Sequence, residues 1–429
     1  VMMTLAALAA TGATERPSGE TRLEQETRIL KGIKAQLAMP GLATNNEWTA
    51  TWVGLTSSRA NLAYLAYNPN FGTSGTVNPV YALVLRGTMG GSPIDTSEDM
   101  QVGLMLDFAA GGTPNKGKIG KISQGAMEAF TDIVMGTDLL SALQNPTPAL
   151  LYVVGHSLGG AMVTTISLFL AAANLMPYEQ VLPYTFAAPT AGDADFAAWF
   201  DARYPWAKCV INKYDLVPNA WATLDSLVDD HKNHPFYPGP DSSPSGPGPI
   251  ATPADAPGIL IKNIAKGRNG NKYVQPTQQP PLNDGATLLF QVYPINVQST
   301  TDMFEVQVGF QHANNTYLNL LGAPTLPATA PVVASVTPAS GPTAGGTSVT
   351  ITPPPGLSFS QDSVVDFGII PAASWSVAHD GSSITAKSPR GVGTVDIRVT
   401  NEFGTSPAVP VYPNLTFDDF NDQFTYDPA

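Results

Sequence analysis

Apolar and polar positions change period several times along this chain. In "ALLYVVGHSLGGAMVTTISLFLAAANL", Ala149 to Leu175, Leu150 to Val154 form a short β-branched and aromatic run, the pattern of a strand buried on both faces. After Gly160 the chain is rich in Ala, Leu and Met, with no proline before Pro177. That composition predicts a buried helix. Earlier, Leu23, Ile29, Leu30, Ile33 and Leu37 recur among charges and predict a helix over about 20–40, closed by Pro40 and Gly41. "ANLAYLAYN" and "VYALVLRGT" read as strands, and "SQGAMEAFTDIVMGTDLLSAL" as a helix. "QVLPYTFAAPTAG" and "AKCVINKYDLVPN" are two further strands, with the helix "DADFAAWFDARYP" between them. Strands alternating with helices predict an α/β unit with a largely parallel sheet and helices on both faces.

Two breaks divide this pattern. From His234 to Pro281 the composition turns to Pro, Gly and Ser, which reads as a surface insertion over about 235–281. "MFEVQVGFQHANNTYLNLL" then restores periodic structure, and "GAPTLPATAP" reads as a Pro/Ala linker. From Val332 onward, short segments such as "SVTITPPP", "SVVDFG", "SSITAKSP" and "TVDIRVTN" alternate with turn signals. They predict an all-β sandwich. The expected domains are therefore 1–325 and 330–429, and a length of 429 residues accommodates two cores.

Composition narrows the function classes. Only 13% of residues are charged against 43% hydrophobic, so the chain is globular. A net charge of −13 argues against nucleic acid and against charge-driven binding to anionic membranes. No apolar run approaches the ~20 residues of a transmembrane helix. The one cysteine, Cys209, excludes an intramolecular disulfide and reads as a buried strand residue. The opening "VMMTLAALAATGA" has only part of a signal peptide's pattern, without a basic stretch, and an initial Val suggests a trimmed chain.

The chemistry starts at Gly155-His156-Ser157-Leu158-Gly159-Gly160. Between a strand and a helix, this run forms a nucleophile elbow that lifts the Ser157 hydroxyl above the sheet edge. The same turn aims the Leu158 N–H at an incoming carbonyl oxygen. A nucleophilic serine needs a base and an acid. The five histidines are His156, His231, His234, His312 and His379. His156 lies beside the serine and cannot turn back onto it, so it reads as packing. His379 belongs to the sandwich, and His231 and His234 open the insertion, where "DDHKNH" reads as a solvated loop or a metal site. His312 follows the last α/β elements, where the order Ser, acid, His wants the base. Asp215, just past a strand end in "CVINKYDLVPNAW", is the candidate acid. In "ALVLRGTMGG", Gly87 permits close backbone approach and Thr88 offers a second oxyanion donor.

The set "LRGT", "GHSLGGAM", "TFAAPTAGDADFAAWF" and "INKYDLVPN" resembles the class 3, fungal-type lipase family over roughly residues 20 to 322. The resemblance implies an α/β-hydrolase fold and a carboxylic ester hydrolase acting on lipid esters, met at an interface. It places the oxyanion motif on Arg86-Gly87-Thr88, the elbow on Gly155 to Gly160 and the acid on Asp215. The family's histidine follows the acid more closely than His312 follows Asp215, and the insertion accounts for the gap. The low-charge segment Met89 to Gly103 falls where the family carries a lid. "VASVTPASGPTAGGTSVTITPP", "VDFG", "GTVDIRVTNEFGTS" and "DQFTY" resemble the immunoglobulin-like IPT/TIG domains, which implies a secreted or cell-surface location. The sandwich is expected to contact a surface, a polymer or the catalytic domain. Neither a cofactor nor a metal is called for. The other class left open is a binding or adhesion protein with a degenerate hydrolase domain. Among enzymes, esterase, phospholipase and polyester hydrolase share the motifs.

Overall fold

The computed structural model describes all residues except 13–15, 17–18, 57–60, 73–77, 88–100, 110–118, 145–147, 225–255, 284–306, 327–329, 362, 402–403, 407–420 and 429. The chain folds as two compact units, 1–10 with 37–326 and 11–36 with 327–429.

The first unit is built on a six-stranded sheet. Its strands are β1 (Thr49–Leu55), β2 (Leu62–Phe71), β3 (Asn78–Leu85), β6 (Leu151–His156), β7 (Val181–Phe186) and β8 (Lys208–Val210), paired in that spatial order. β4 (Met105–Asp107) and β5 (Lys121–Ser123) form a separate antiparallel pair. β3, β6, β7 and β8 run parallel, while β1, β2 and β3 are antiparallel neighbours. The sheet is thus parallel through the half that bears the elbow, and β1 is an antiparallel edge strand that the apolar pattern had not signalled.

One face of the sheet is covered by helices Gln124–Gly136, Leu158–Ala172 and Ala194–Arg203. Their Ala126, Ile133, Val163, Ile166, Phe196 and Phe200 share a core with Leu83, Leu85, Leu151 and Val153. The predicted helix over 123–143 is two helices, Gln124–Gly136 and Leu139–Gln144. Helix Met2–Leu8 packs on β6 and β3, and every residue of it is buried. Tyr64 Oη donates to the Leu5 carbonyl at 2.6 Å, joining this helix to β2. The apolar opening of the chain is therefore core material in this fold.

The Pro-rich stretch also differs from a simple surface insertion. Residues 225–255 lie outside the described residues, but helix Ala256–Lys266 follows, and its Ile261, Ile264 and Ala265 are buried with Val102, Leu216 and Trp221. The chain then runs extended beside the sheet: Val274 N–H bonds Gly192 O, Gln279 N–H bonds Cys209 O and Leu282 N–H bonds Ile211 O, at 2.8–3.0 Å. A proline-rich composition hid residues with ordinary packing roles.

The second unit contains the expected sandwich. One sheet has β10 (Ser340–Pro342), β18 (Gln423–Asp427), β16 (Gly393–Asn401), β12 (Val364–Phe367) and β13 (Ile370–Pro371), with β17 (Gly404–Thr405) beside β16. The other has β14 (Ser374–Val377), β15 (Ile384–Lys387), β11 (Ser348–Thr352) and β9 (Ser335–Thr337). Val349, Ile351, Val365, Phe367, Ile384, Ala386, Ile397, Val399, Phe424 and Tyr426 recur at period two and fill the core.

The predicted helix near residue 20 is Arg22–Leu37, but residues 11–36 belong with the sandwich and not with 1–325 as the linker position suggested. Arg28 accounts for part of this: its guanidinium grips Glu20 at 2.7 and 2.8 Å and donates to the Asn401 carbonyl at 3.1 Å. A chain ended at Leu326 should therefore lose several degrees of Tm, because residues 11–36 lose the rest of their unit. Its kcat on a soluble ester, per folded molecule, should equal that of the full chain, since Ser157, Asp215 and His312 all lie in the first unit. Thermal melts with active-site titration check this, and a folded truncation with lost kcat would contradict it.

Candidate active site

The elbow follows from close packing at the end of β6. A Cβ on Gly155 would lie 2.3 Å from Gly159 carbonyl atoms, and one on Gly159 would lie 2.2 Å from Leu85 O. Side chains at these two positions would push β6, β3 and the following helix apart. Ser157 sits at φ 58° and ψ −132°, a conformation disfavoured for a residue with a side chain. It is held by Ser157 N–H to Phe186 O at 2.9 Å and by Gly160 N–H to Ser157 O at 2.8 Å.

Asp215 follows β8 and is fully buried. Three donors converge on its carboxylate. His312 Nδ1–H reaches Oδ2 at 2.9 Å and Oδ1 at 3.1 Å, Val217 N–H reaches Oδ1 at 3.0 Å, and Tyr317 Oη–H reaches Oδ2 at 2.8 Å. His312 ends the helical stretch 307–312, just before helix Asn314–Leu320. Its other ring nitrogen, Nε2, is 2.8 Å from Ser157 Oγ. The structure thus brings Ser157, His312 and Asp215 into one hydrogen-bonded line. The sequence separation of 97 between Asp215 and His312 is no obstacle, because Asn212 ties the two segments together. Its Nδ2 donates to Gln311 O at 2.9 Å and to Gln311 Oε1 at 2.7 Å.

Tyr317 and Asn212 carry roles that the sequence did not reveal. Tyr317 Oη accepts the Asn212 N–H at 2.8 Å while donating to Asp215, so one phenol links the Asp215 loop to the helix after His312. Burial and the Asp215 charge push its ionisation well above the usual tyrosine range. The phenol therefore stays a donor. An aromatic at helical spacing gives no sign of such a role. Only its place five residues after the candidate base could have hinted at it.

The His156 ring packs against its neighbours. It lies 4.7 Å from the His312 ring and meets Tyr317 edge-on at 5.5 Å. Burial, then the neighbouring His312 ring, holds its pKa well below the usual imidazole value. On unfolding, this imidazole recovers a pKa of about 6.5. Below that pH the unfolded chain binds a proton that the folded chain refuses, so stability falls as pH drops below about 6.5. His156→Gln should flatten the decline of Tm between about pH 6.5 and 5. Parallel Tm–pH curves for variant and parent would contradict this.

Leu158, the candidate oxyanion donor, holds the first amide of its helix, an N–H without an intrahelical acceptor at the positive end of the helix dipole. Gly87 abuts Ser157: a Cβ there would lie 2.9 Å from His156 O and 3.1 Å from Ser157 Cβ. Thr88 lies outside the described residues, as do His231, His234 and Met89 to Met100 of the lid segment. Arg86 is buried beside this loop, and desolvation pulls its pKa down to about 10. Among the described residues, no group of three or more His, Cys, Asp or Glu is placed to hold a metal ion. Nor, among them, is any helix long and apolar enough to cross a membrane.

Residues 83–224 match the model of the lipase (class 3) family, and residues 331–412 match that of the IPT/TIG domain. Among solved structures, the M37 lipase is similar at 22% identity and TM-score 0.54, covering 75% of this chain and 92% of its own. At that identity the likeness establishes the fold. Lipase II from Rhizopus niveus aligns at 18% identity and TM-score 0.34, over 45% of this chain and 72% of its own. The Lip2 lipase from Yarrowia lipolytica aligns at 19% and 0.37, over 51% and 72%. No curated protein matches the chain by sequence.

Proposed function

From a chain that carries a class 3 lipase segment and an IPT/TIG domain, we propose a serine-dependent hydrolase of lipid carboxylic esters, working through an acyl-enzyme on Ser157. The observation that carries the reading is the relay of 2.8 Å from Ser157 Oγ to His312 Nε2 and 2.9 Å from His312 Nδ1 to Asp215 Oδ2. His312 Nε2 takes the hydroxyl proton as Ser157 Oγ bonds to the ester carbonyl carbon. The oxygen of that carbonyl becomes an oxyanion, which the Leu158 N–H stabilises together with Thr88. The C–O bond to the alcohol then breaks, and the alcohol leaves with the proton from His312. Water, deprotonated by His312, attacks the acyl carbonyl, releasing the carboxylic acid and restoring Ser157. Asp215 holds the imidazole in the tautomer that leaves Nε2 free to accept, and it stabilises the imidazolium that forms. The reading includes a secreted or cell-surface location, supported by the IPT/TIG domain.

Rates on a triacylglycerol series from short to long acyl chains, run beside phosphatidylcholine and a soluble short-chain ester, test the substrate class. Turnover of emulsified triacylglycerols is expected. Turnover of the soluble ester alone would make the enzyme an esterase.

A further inference from the structure

Two aliphatic side chains of the sandwich stand in solvent to an unusual degree: Ile369 is 91% exposed and Val392 is 78% exposed. Both sit on glycine-containing turns. Gly368, at φ 63°, precedes Ile369 between β12 and β13, while Gly391 and Gly393, the latter at φ 71°, flank Val392 at the start of β16. Pairing puts the two turns at one end of the sandwich. Phe367 is opposite Ile397, and Gly368 N–H bonds Asp396 O at 2.7 Å, so Ile369 lies beside the opening residues of β16. Val392 immediately precedes those residues. Gly391 N–H bonds Thr343 O at 3.1 Å, which brings the β10–β11 turn to the same end. β9 enters the sandwich at the opposite end, where Ser335 pairs with Thr352.

The choice of occupant follows from size and charge. Two separate side chains cannot supply the ~1,000 Å² expected of a specific protein interface. A lipid surface needs no matching shape and takes up isolated aliphatic groups between its chains. Among the described residues, the charged groups at this end are Lys387, Arg390 and Asp427, all exposed, and the partly buried Asp396, two cations against two anions, in a chain of net charge −13. Among the described residues, this tip therefore balances its charges and does not share the acidic excess of the chain.

We propose that this end of the sandwich is an anchor for a neutral lipid–water interface, with Ile369 and Val392 as the inserting side chains. The identity of the surface rests on the lipid-ester reading above, whereas the anchoring does not require catalysis. The test is flotation of full-length Ser157→Ala, which leaves lipid intact, with triacylglycerol droplets coated in phosphatidylcholine. Adding Ile369→Ser and Val392→Ser should weaken binding about tenfold. With Ser157 present, the same pair should leave soluble-ester turnover unchanged and lower emulsion turnover at limiting lipid. Separately, Ile369→Trp should gain fluorescence that brominated phosphatidylcholine quenches. Unchanged droplet binding in the double variant would overturn the anchor, as would a changed oligomeric state in place of a changed lipid affinity. Lipid binding that depends on Ile369 and Val392 in a protein that hydrolyses no lipid ester would sustain the anchor while removing the catalytic reading.

Discussion

Replacing Ser157 by alanine should lower kcat on a soluble ester by about a millionfold, with KM little changed. The size follows from the unit nature of the relay. His312 Nε2 has Ser157 Oγ as its partner at 2.8 Å, and without that oxygen the base has no nucleophile to activate. His312→Ala should cost a comparable factor, because the hydroxyl proton then has no acceptor. The double variant should be no worse than either single one, since groups acting as one device are strongly non-additive. The residual rate would come from binding and from the Leu158 amide. His231→Ala and His234→Ala should retain full activity. If they were the damaging pair and His312→Ala were harmless, the base would belong to the Pro-rich stretch.

Asp215→Asn should lower kcat by about ten-thousandfold. The carboxylate is fully buried and accepts from His312, Val217 and Tyr317 together. An amide of the same shape has only one acceptor oxygen, so its NH2 must face a donor or turn toward His312. Facing His312, it favours the imidazole with the proton on Nε2, the wrong tautomer to accept the Ser157 proton. The effect should fall on kcat and not on KM, because the carboxylate lies behind the base, away from substrate. Steady-state kinetics on a soluble ester, with circular dichroism to establish folding, make the comparison. A loss smaller than about tenfold would mean that another group orients His312.

The legible parts of this molecule were those where period, turn chemistry and chain order agree. β6 and the helix Leu158–Ala172 differ in period, and Gly155 and Gly159 mark the turn that joins them. Asp215 was a candidate from its place after a strand and His312 from its place after the last α/β elements, and the fold sets the two side chains 2.9 Å apart. What composition obscured was tertiary in origin. Gln275 lies in the Pro-rich stretch, yet its Nε2 donates to Ala188 O at 2.8 Å and to Pro218 O at 2.9 Å, bracing the acid loop. Nothing in its neighbourhood along the chain signals that. Helix Arg22–Leu37 has an apolar stripe that says it is buried but not in which unit, and Leu23 on the predicted stripe is 70% exposed. Helix Met2–Leu8 is apolar but for the buried Thr4, a pattern shared by leader peptides and buried core helices alike. Tyr317 and Asn212 act through contacts across 105 residues of chain, beyond the reach of any local pattern.

The central claim is that Ser157 is the nucleophile of a base-activated serine hydrolase, and an organophosphonate carrying a chromogenic leaving group tests it most directly. Phosphonylation uses the same attack by Oγ, but the tetrahedral phosphorus adduct resists hydrolysis and can be located by mass spectrometry. The expected result is one phosphonyl group per chain on Ser157, released leaving group in equal amount and matching loss of esterase activity. Ser157→Ala should take up none, and His312→Ala should react far more slowly. Stoichiometric labelling at another residue, or an unlabelled Ser157 in protein that has lost its activity, would contradict the account.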